Sequence, residues 1–327
     1  MTISLTRRAA LGALAAGLAT PALAQARKLT FLTSWFAQAE HGGFYQALAT
    51  GLYKTAGLDV TVKMGGPQVN GMQLLAAGEV DLIMGYDIQV LKGIENGLPV
   101  TTVGTSFQFD LQGIMTHEQV NGLAELKGKR ILIASSSHAT FWPWLKKRFG
   151  FTDAQAGVYT FNLQPFLADK ELALQGYLSS EPFEAAAAGA KPKFFLLADD
   201  GYPPYGSTMV TRTPLVDKDP GVVKAFVEAS LEGWKSYFAR PEAANLLIKR
   251  DNPKMTDDRI AFAIAKLGEV KALNRGDAAT HGIGVITEAR WKQTYDFLVE
   301  GGLLKPTVEW QKAFTTRFIR DIRVMMP

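Results

Sequence analysis

The chain has no cysteine among its 327 residues. That excludes disulfides, thiolate metal sites, catalytic thiols and the lipidated cysteine with which many exported binding proteins begin. Histidine is scarce as well: His41, His117, His138 and His281 are the only four, scattered along the chain, so no metal-ligand spacing emerges and no metal or other cofactor is expected. No Gly-x-Ser-x-Gly elbow, phosphate loop or His-Glu-x-x-His occurs, and the lone Gly-x-Gly at Gly282 to Gly284 lacks the third glycine of a dinucleotide fingerprint. The expectation is therefore not an enzyme. Strong charge of either sign is also missing, which gives no electrostatic case for nucleic acid or membrane as a partner.

The opening MTISLTRRAALGALAAGLATPALAQA combines Arg7 and Arg8, an Ala/Leu/Gly run and small residues before a cut near Ala24 or Ala26. It reads as a cleaved export signal of residues 1–26, with a twin-arginine-like pattern in which Ala10 stands where a bulkier residue is usual. Removing it takes the formal charge from +4 to +2. No later stretch approaches the roughly 20 apolar residues a bilayer span needs, so a soluble, monomeric, periplasmic protein is expected.

After the signal, strands alternate with helices. LTFLTSW reads as a buried strand; Phe44, Leu48 and Leu52 recur at helical spacing from Gly43; Gly57 ends that helix and LDVTVKMG is the next strand. DLIMGY and VTTVGTSFQ continue the strands, separated by VNGMQLLAAG and DIQVLKGIENG as helices. LQGIMTH, RILIA, VYTFNLQ and KFFLLA form a second set of strands, with FWPWLKKRFG, LADKELALQG and PFEAAAAG as helices. DDGYPPYGSTMVTR reads as a return crossing, and the remainder is helical, beginning with PGVVKAFVEASLEGWKSYFA. The pattern predicts an α/β protein of two lobes, each a mainly parallel sheet flanked by helices. Lobe 1 takes residues 27–109 and 205–327, lobe 2 residues 110–204, with two crossings near Phe107 to Leu111 and Tyr202 to Ser207 acting as a hinge.

Ligands of open α/β sheets bind at the carboxyl ends of the strands. The loops there offer Trp35, His41, Gly65, Gly66, Tyr86 and Gln108 from lobe 1, and Ser136, Ser137, Asn162, Glu181 and Tyr202 from lobe 2. Each has a plainer role as well: Trp35 and Tyr86 as strand-end core, His41 and the serines as helix caps, Glu181 as a partner of a helix dipole, Gly65-Gly66 as a tight turn. Aromatic, amide, hydroxyl and acidic groups dominate these loops and Lys and Arg are nearly absent from them. A small anion would want a cation, whereas a flat nitrogen heterocycle wants stacking faces and acceptors.

The stretch WFAQAEHGGFYQALATGLYKTAGLDV resembles the NMT1/THI5-like family of periplasmic substrate-binding proteins through Trp35, His41, Gly43, Phe44, Tyr45, Gly57, Leu58, Asp59 and Val60, and LLAAGEVDLIMG through Gly78 and Asp81. The resemblance implies the two-lobed periplasmic binding protein fold of type II and a Trp35 that faces the cleft, together with a cleft-facing Glu181-Pro182 pair. It also implies delivery of the ligand to an inner-membrane ABC permease and its ATPase. Within the family the thiamine-precursor pyrimidine binders look most similar, and relatives bind riboflavin, aliphatic sulfonates, nitrate or aromatic acids. Fungal-type pyrimidine synthases of the same family need a Cys-rich motif that this chain lacks; a sensor docking on a membrane receptor is a further alternative. If the twin-arginine pattern governs export, changing Arg7 and Arg8 together to Lys stops the mature protein from reaching the periplasm in a fractionation blot; unchanged export assigns the general secretory route.

Overall fold

The computed structural model describes residues 26–66 and 68–326. The export signal, apart from Ala26, lies outside them. Ten strands form two five-stranded sheets. The first contains β1 (Arg27–Leu32), β2 (Leu58–Lys63), β3 (Leu82–Gly85), β4 (Val100–Phe107) and, in the second half of the chain, β10 (Gly206–Arg212), in the order β2-β1-β3-β10-β4. The second contains β5 (Gln112–His117), β6 (Ile131–Ile133), β7 (Ala156–Val158), β8 (Ala173–Tyr177) and β9 (Pro192–Leu196), in the order β7-β6-β8-β5-β9. In each sheet one strand is reversed, β10 in the first and β5 in the second, and both its neighbours pair with it antiparallel. The remaining pairs are parallel. Helices cover both, and the fold is the two-lobed α/β arrangement.

Local sequence explains most of these elements. LDVTVK alternates buried and exposed residues along β2, as an edge strand with one wet face does. LIMG is buried throughout because β3 is central. Gly57 adopts the left-handed conformation with φ 77°, ending the preceding helical segment at the start of β2. That segment is broken earlier than its apolar spacing suggests: the helix Gly42–Ala49 and the single turn Leu52–Thr55 are separated at Gly51.

Two sequence-based expectations are corrected. LADKELALQG does not form one helix, since the helix is Gln164–Ala168 and ALQGY is the strand β8, bonded to β6 on one side and β5 on the other. Its Ala, Leu and Glu favour helix locally, but burial between two strands overrides a propensity of a few tenths of a kcal/mol per residue. VYTFNLQ contributes only its first residue to β7, which ends at Val158. Phe161 beyond it holds a positive φ of 59°.

The tightest packing in the first lobe joins the helix Gly42–Ala49 to the helix Pro220–Ala239. A methyl group added at Gly43 would lie 2.2 Å from the indole of Trp234, and one at Gly233 would lie 2.2 Å from the Gly43 carbonyl. Two backbones approach here because neither side has a Cβ. The Trp234 indole Nε1 donates to Ser106 at 2.8 Å, tying this crossing to β4. Gly43→Ala should therefore destabilise the protein by about 1–3 kcal/mol through overpacking, outweighing the usual helix gain of Ala over Gly; denaturant unfolding measures it, and unchanged stability would show that the helices separate freely.

Candidate functional site

The chain passes from the first sheet to the second through residues 108–111 and back through residues 197–205. The two crossings touch. Asp110 N donates to the Pro204 carbonyl at 3.2 Å, and a methyl at Gly206 would fall 2.6 Å from the Phe109 carbonyl. Arg290, on the helix Glu288–Glu300, binds both: its Nη2 donates to the carbonyls of Gln108 at 2.7 Å and Pro203 at 3.2 Å. Its guanidinium lies 4.3 Å from the centre of the Tyr205 ring. Asp87 completes the junction, accepting from Tyr205 N and Thr294 Oγ1, each at 3.0 Å.

On the cleft side of this junction, residues from both lobes meet. The turn Ala39–His41 carries Glu40, whose Oε1 accepts from the Ser179 hydroxyl of the second lobe. Trp35 packs edge-on to Phe36 at 5.6 Å and reaches across to Phe161, 5.5 Å between ring centres. Phe161 in turn packs on Tyr159 at 5.1 Å. The Tyr86 hydroxyl lies beside Tyr177 and Ser34. Glu181 turns its carboxyl inward: Oε2 accepts from Tyr177 N at 2.7 Å and Oε1 from the Tyr159 hydroxyl at 3.3 Å. Beside Tyr86 and Ser34, at the carboxyl ends of β1 and β3, a cavity of about 440 Å³ is lined further by Gln68, Asn70, Met72 and Gln89.

Of the residues singled out in the sequence, Trp35, Tyr86 and Glu181 thus lie in this seam. His41 is beside it, 1% exposed, with Nδ1 unpartnered and its pKa lowered to about 3 by burial, so its imidazole is neutral. Tyr202 is buried behind the junction, packed on Trp144 at 5.3 Å and Phe297 at 5.8 Å. Gln108 is withdrawn into the first lobe, where Nε2 donates to the Val285 carbonyl at 3.0 Å. Gly65 and Gly66 form a tight turn: Gly65 N donates to Thr33 Oγ1 at 3.0 Å, and a methyl there would meet the Thr33 carbonyl at 2.3 Å. Ser137 is buried, donating to Gln175 Oε1 at 2.6 Å, while Ser136 is exposed on the same short turn. Asn162 is exposed, and its Oδ1 accepts from Gln164 N at 3.0 Å. Among the described residues no three of His, Asp and Glu are grouped to hold a metal ion.

Glu40, Ser179, Tyr177 and Phe161 were not singled out in the sequence. Glu40 and Phe161 adjoin His41 and Asn162, which were, so proximity in the chain was their one available signal. The scarcity of cations held for the loops and fails for the helices packed against them. Arg259, on the helix Asp257–Glu269, forms an ion pair with Glu184 of the second lobe and is close enough to Glu40 to favour its ionised form. Arg275 pairs with Asp199 across the lobes at 2.8 Å. Burial nevertheless dominates at both carboxyls and raises the pKa of Glu40 and of Glu181.

The fold and the seam define a two-lobed solute-binding protein architecture. Among solved structures it is shared by the periplasmic aliphatic sulphonate binding protein SsuA from Escherichia coli, with a TM-score of 0.67 over 88% of this chain and 91% of that one, at 16% identity. The NMT1/THI5 like family model matches residues 38–244, and the chain belongs to that family. It is similar to the riboflavin-binding protein RibY of Chloroflexus aurantiacus, 26% identical over 306 residues that cover 90% of this chain and 86% of the relative. It is also similar to the formylaminopyrimidine-binding protein of Halalkalibacterium halodurans, 24% identical over 234 residues, 66% of this chain and 68% of the relative.

Two carboxyls at the crossings titrate in the physiological range. Burial raises Asp110 to about 7, against bonds from Gln112 N and Nε2 that favour its anion, and raises Asp87 to about 6. A carboxyl whose folded pKa lies above its unfolded value contributes stability that is complete below the unfolded value of 3.8 and is lost as pH rises through the folded one. His41 acts in the opposite sense, its contribution being complete above 6.5 and lost as pH falls toward 3. Asp110→Asn should therefore flatten the fall in unfolding free energy between pH 4 and pH 8, by up to about 4 kcal/mol at 1.36 kcal/mol per pKa unit. Urea titrations at several pH values read this; parallel curves for the two proteins would place the Asp110 proton elsewhere.

Proposed function

We propose that this chain is the periplasmic solute-binding component of an ABC importer and takes a small nitrogen heteroaromatic, with a thiamine-precursor pyrimidine as first ligand. The observation that carries the reading is the seam itself: aromatic faces of Trp35 and Phe161 and carboxyls of Glu40 and Glu181 meet from opposite lobes, and a cavity of about 440 Å³ lined by first-lobe residues includes Tyr86 of that seam. That volume lies within the range of small-molecule sites. A flat ring gains stacking area on the aromatic faces, and its N–H groups find acceptors in the carboxyls. The relatives named for riboflavin and formylaminopyrimidine bind rings of this chemical kind, which supports the same class here.

An aliphatic sulfonate or nitrate is less well served. Arg259 is the guanidinium at the seam, and Glu184 already engages it. The ligand would draw the lobes together over the crossings and present the closed form to an inner-membrane permease with its ATPase.

The test is titration calorimetry with an aminopyrimidine, riboflavin, taurine and nitrate. Trp35→Ala should weaken heterocycle binding about tenfold to a hundredfold, given stacking contributions of about 1–3 kcal/mol in other systems. Glu181→Gln should weaken it by a comparable factor, and neither change should lower the unfolding midpoint appreciably. Heat from taurine or nitrate with none from the heterocycles would assign an anion-binding protein instead, and identifying the small molecule that co-purifies by mass spectrometry checks either answer.

A further inference from the structure

Glu40 has one oxygen accounted for and one bare. It is 2% exposed; Oε1 accepts from Ser179, and Oε2 has no hydrogen-bond partner. Buried carboxylate oxygens are nearly always satisfied, because an unpaired one loses its hydration for nothing. Two neighbouring buried atoms are bare in the same way: the Tyr177 hydroxyl and His41 Nδ1. Glu40 and Tyr177 come from opposite lobes of one seam, and His41 lies beside it.

The groups around Glu40 leave its free oxygen without a countercharge. Ser179, neutral, stands opposite it, and Tyr86 and Tyr177 flank it as phenols, pushed above their ordinary pKa by burial first, and by the charges of Asp110 and, less, Glu40. Tyr237, from the helix beneath, is raised by burial and also feels that charge. His41, in the same turn, is neutral. Glu181 faces it from the second lobe, and the Glu40 charge adds to burial in making Glu181 harder to ionise. Arg259 is the cation nearby, and it is paired with Glu184. Two carboxyls from opposite lobes, one with a free acceptor oxygen, make a site short of positive charge.

We propose that Glu40 is a specificity-determining residue of the cleft and that the group it takes jointly with Glu181 is a planar nitrogen cation: an amidinium, or the amino group and protonated ring nitrogen of an aminoheterocycle. This rests on the heteroaromatic reading above and narrows it. Such a fork presents N–H donors along two directions, so one cation can bond a carboxylate of each lobe, and its bonds are charge-assisted. A neutral isostere with a carbonyl in place of the amino group would set a lone pair against a carboxylate. The penalty of an unmatched buried polar group is what makes such sites selective.

The experiment compares matched probes by calorimetry at pH 7: benzamidine against benzamide, and 4-aminopyrimidine against pyrimidin-4-one. Wild type should favour the amidine and the amine by about tenfold or more. Glu40→Gln should remove most of that preference, weakening the charged probes and relieving the repulsion felt by the neutral ones, and Glu40→Asp should keep its sign. Because the wild-type comparison needs no variant, a Glu40→Gln protein that fails to fold still leaves the charge preference decided, with Glu40→Asp reporting on the residue. Equal affinity for charged and neutral probes, or a preference that survives Glu40→Gln, overturns the proposal and leaves the heteroaromatic reading standing. Failure of every heterocycle to bind wild type would overturn both.

Discussion

The contact of Gly43 with Gly233 and Trp234 sets the position of the cleft face of the first lobe. The helix Gly42–Ala49 begins one residue after the turn that carries Glu40 and His41, so where this helix lies on the helix Pro220–Ala239 decides where Glu40 meets Ser179. Backbone-to-backbone approach leaves no slack, because a side chain can rotate out of a tight spot and a carbonyl cannot. Phe44 and Tyr45, buried on either side, hold the rotation of the helix, with the Tyr45 hydroxyl donating to Asp251 at 2.9 Å. A contact far from any ligand thus fixes a carboxylate at the seam.

The crossings between the lobes have a comparable dependence on one side chain. Arg290 donates to a carbonyl of each crossing and covers Tyr205, so two strands of chain that are 95 residues apart at Gln108 and Pro203 are held by one planar cation. Both acceptors are main-chain carbonyls, which no substitution at those positions removes. Asp87, buried with a raised pKa, lies within the field of the same guanidinium.

Electrostatics at the seam come from elements distant in sequence. The loops of the two sheets supply acceptors and rings, whereas Arg259 and Arg275 arrive from the C-terminal helical region and pair with Glu184 and Asp199 of the second lobe. These pairs engage both guanidinium groups and, among the described residues, leave Glu40 and Glu181 without a hydrogen-bonded cation. Partly exposed ion pairs contribute little on their own, of the order of 1 kcal/mol or less. The consequence of the Glu184 pair is to engage Arg259, whose field reaches Glu40.

The sequence by itself determined the alternation of strands and helices, the family signature from Trp35 to Val60, the stop at Gly57 and the helix that begins at Pro220, because each is a matter of local spacing or of one residue's backbone freedom. It also placed Trp35, Tyr86 and Glu181 at strand ends, where open sheets present their ligand-facing groups. Only tertiary structure decided that ALQGY is a strand and not a helix, since its partners β5 and β6 are remote in the chain. It alone separated Gln108 and Ser137, withdrawn into their lobes, from Glu40, Tyr177 and Ser179, which meet across the seam. It also made Gly42-Gly43 a helix crossing. Burial, carboxyl pKa values and the pairing of Arg259 away from Glu40 all depend on what packs opposite, and a linear pattern carries no record of that.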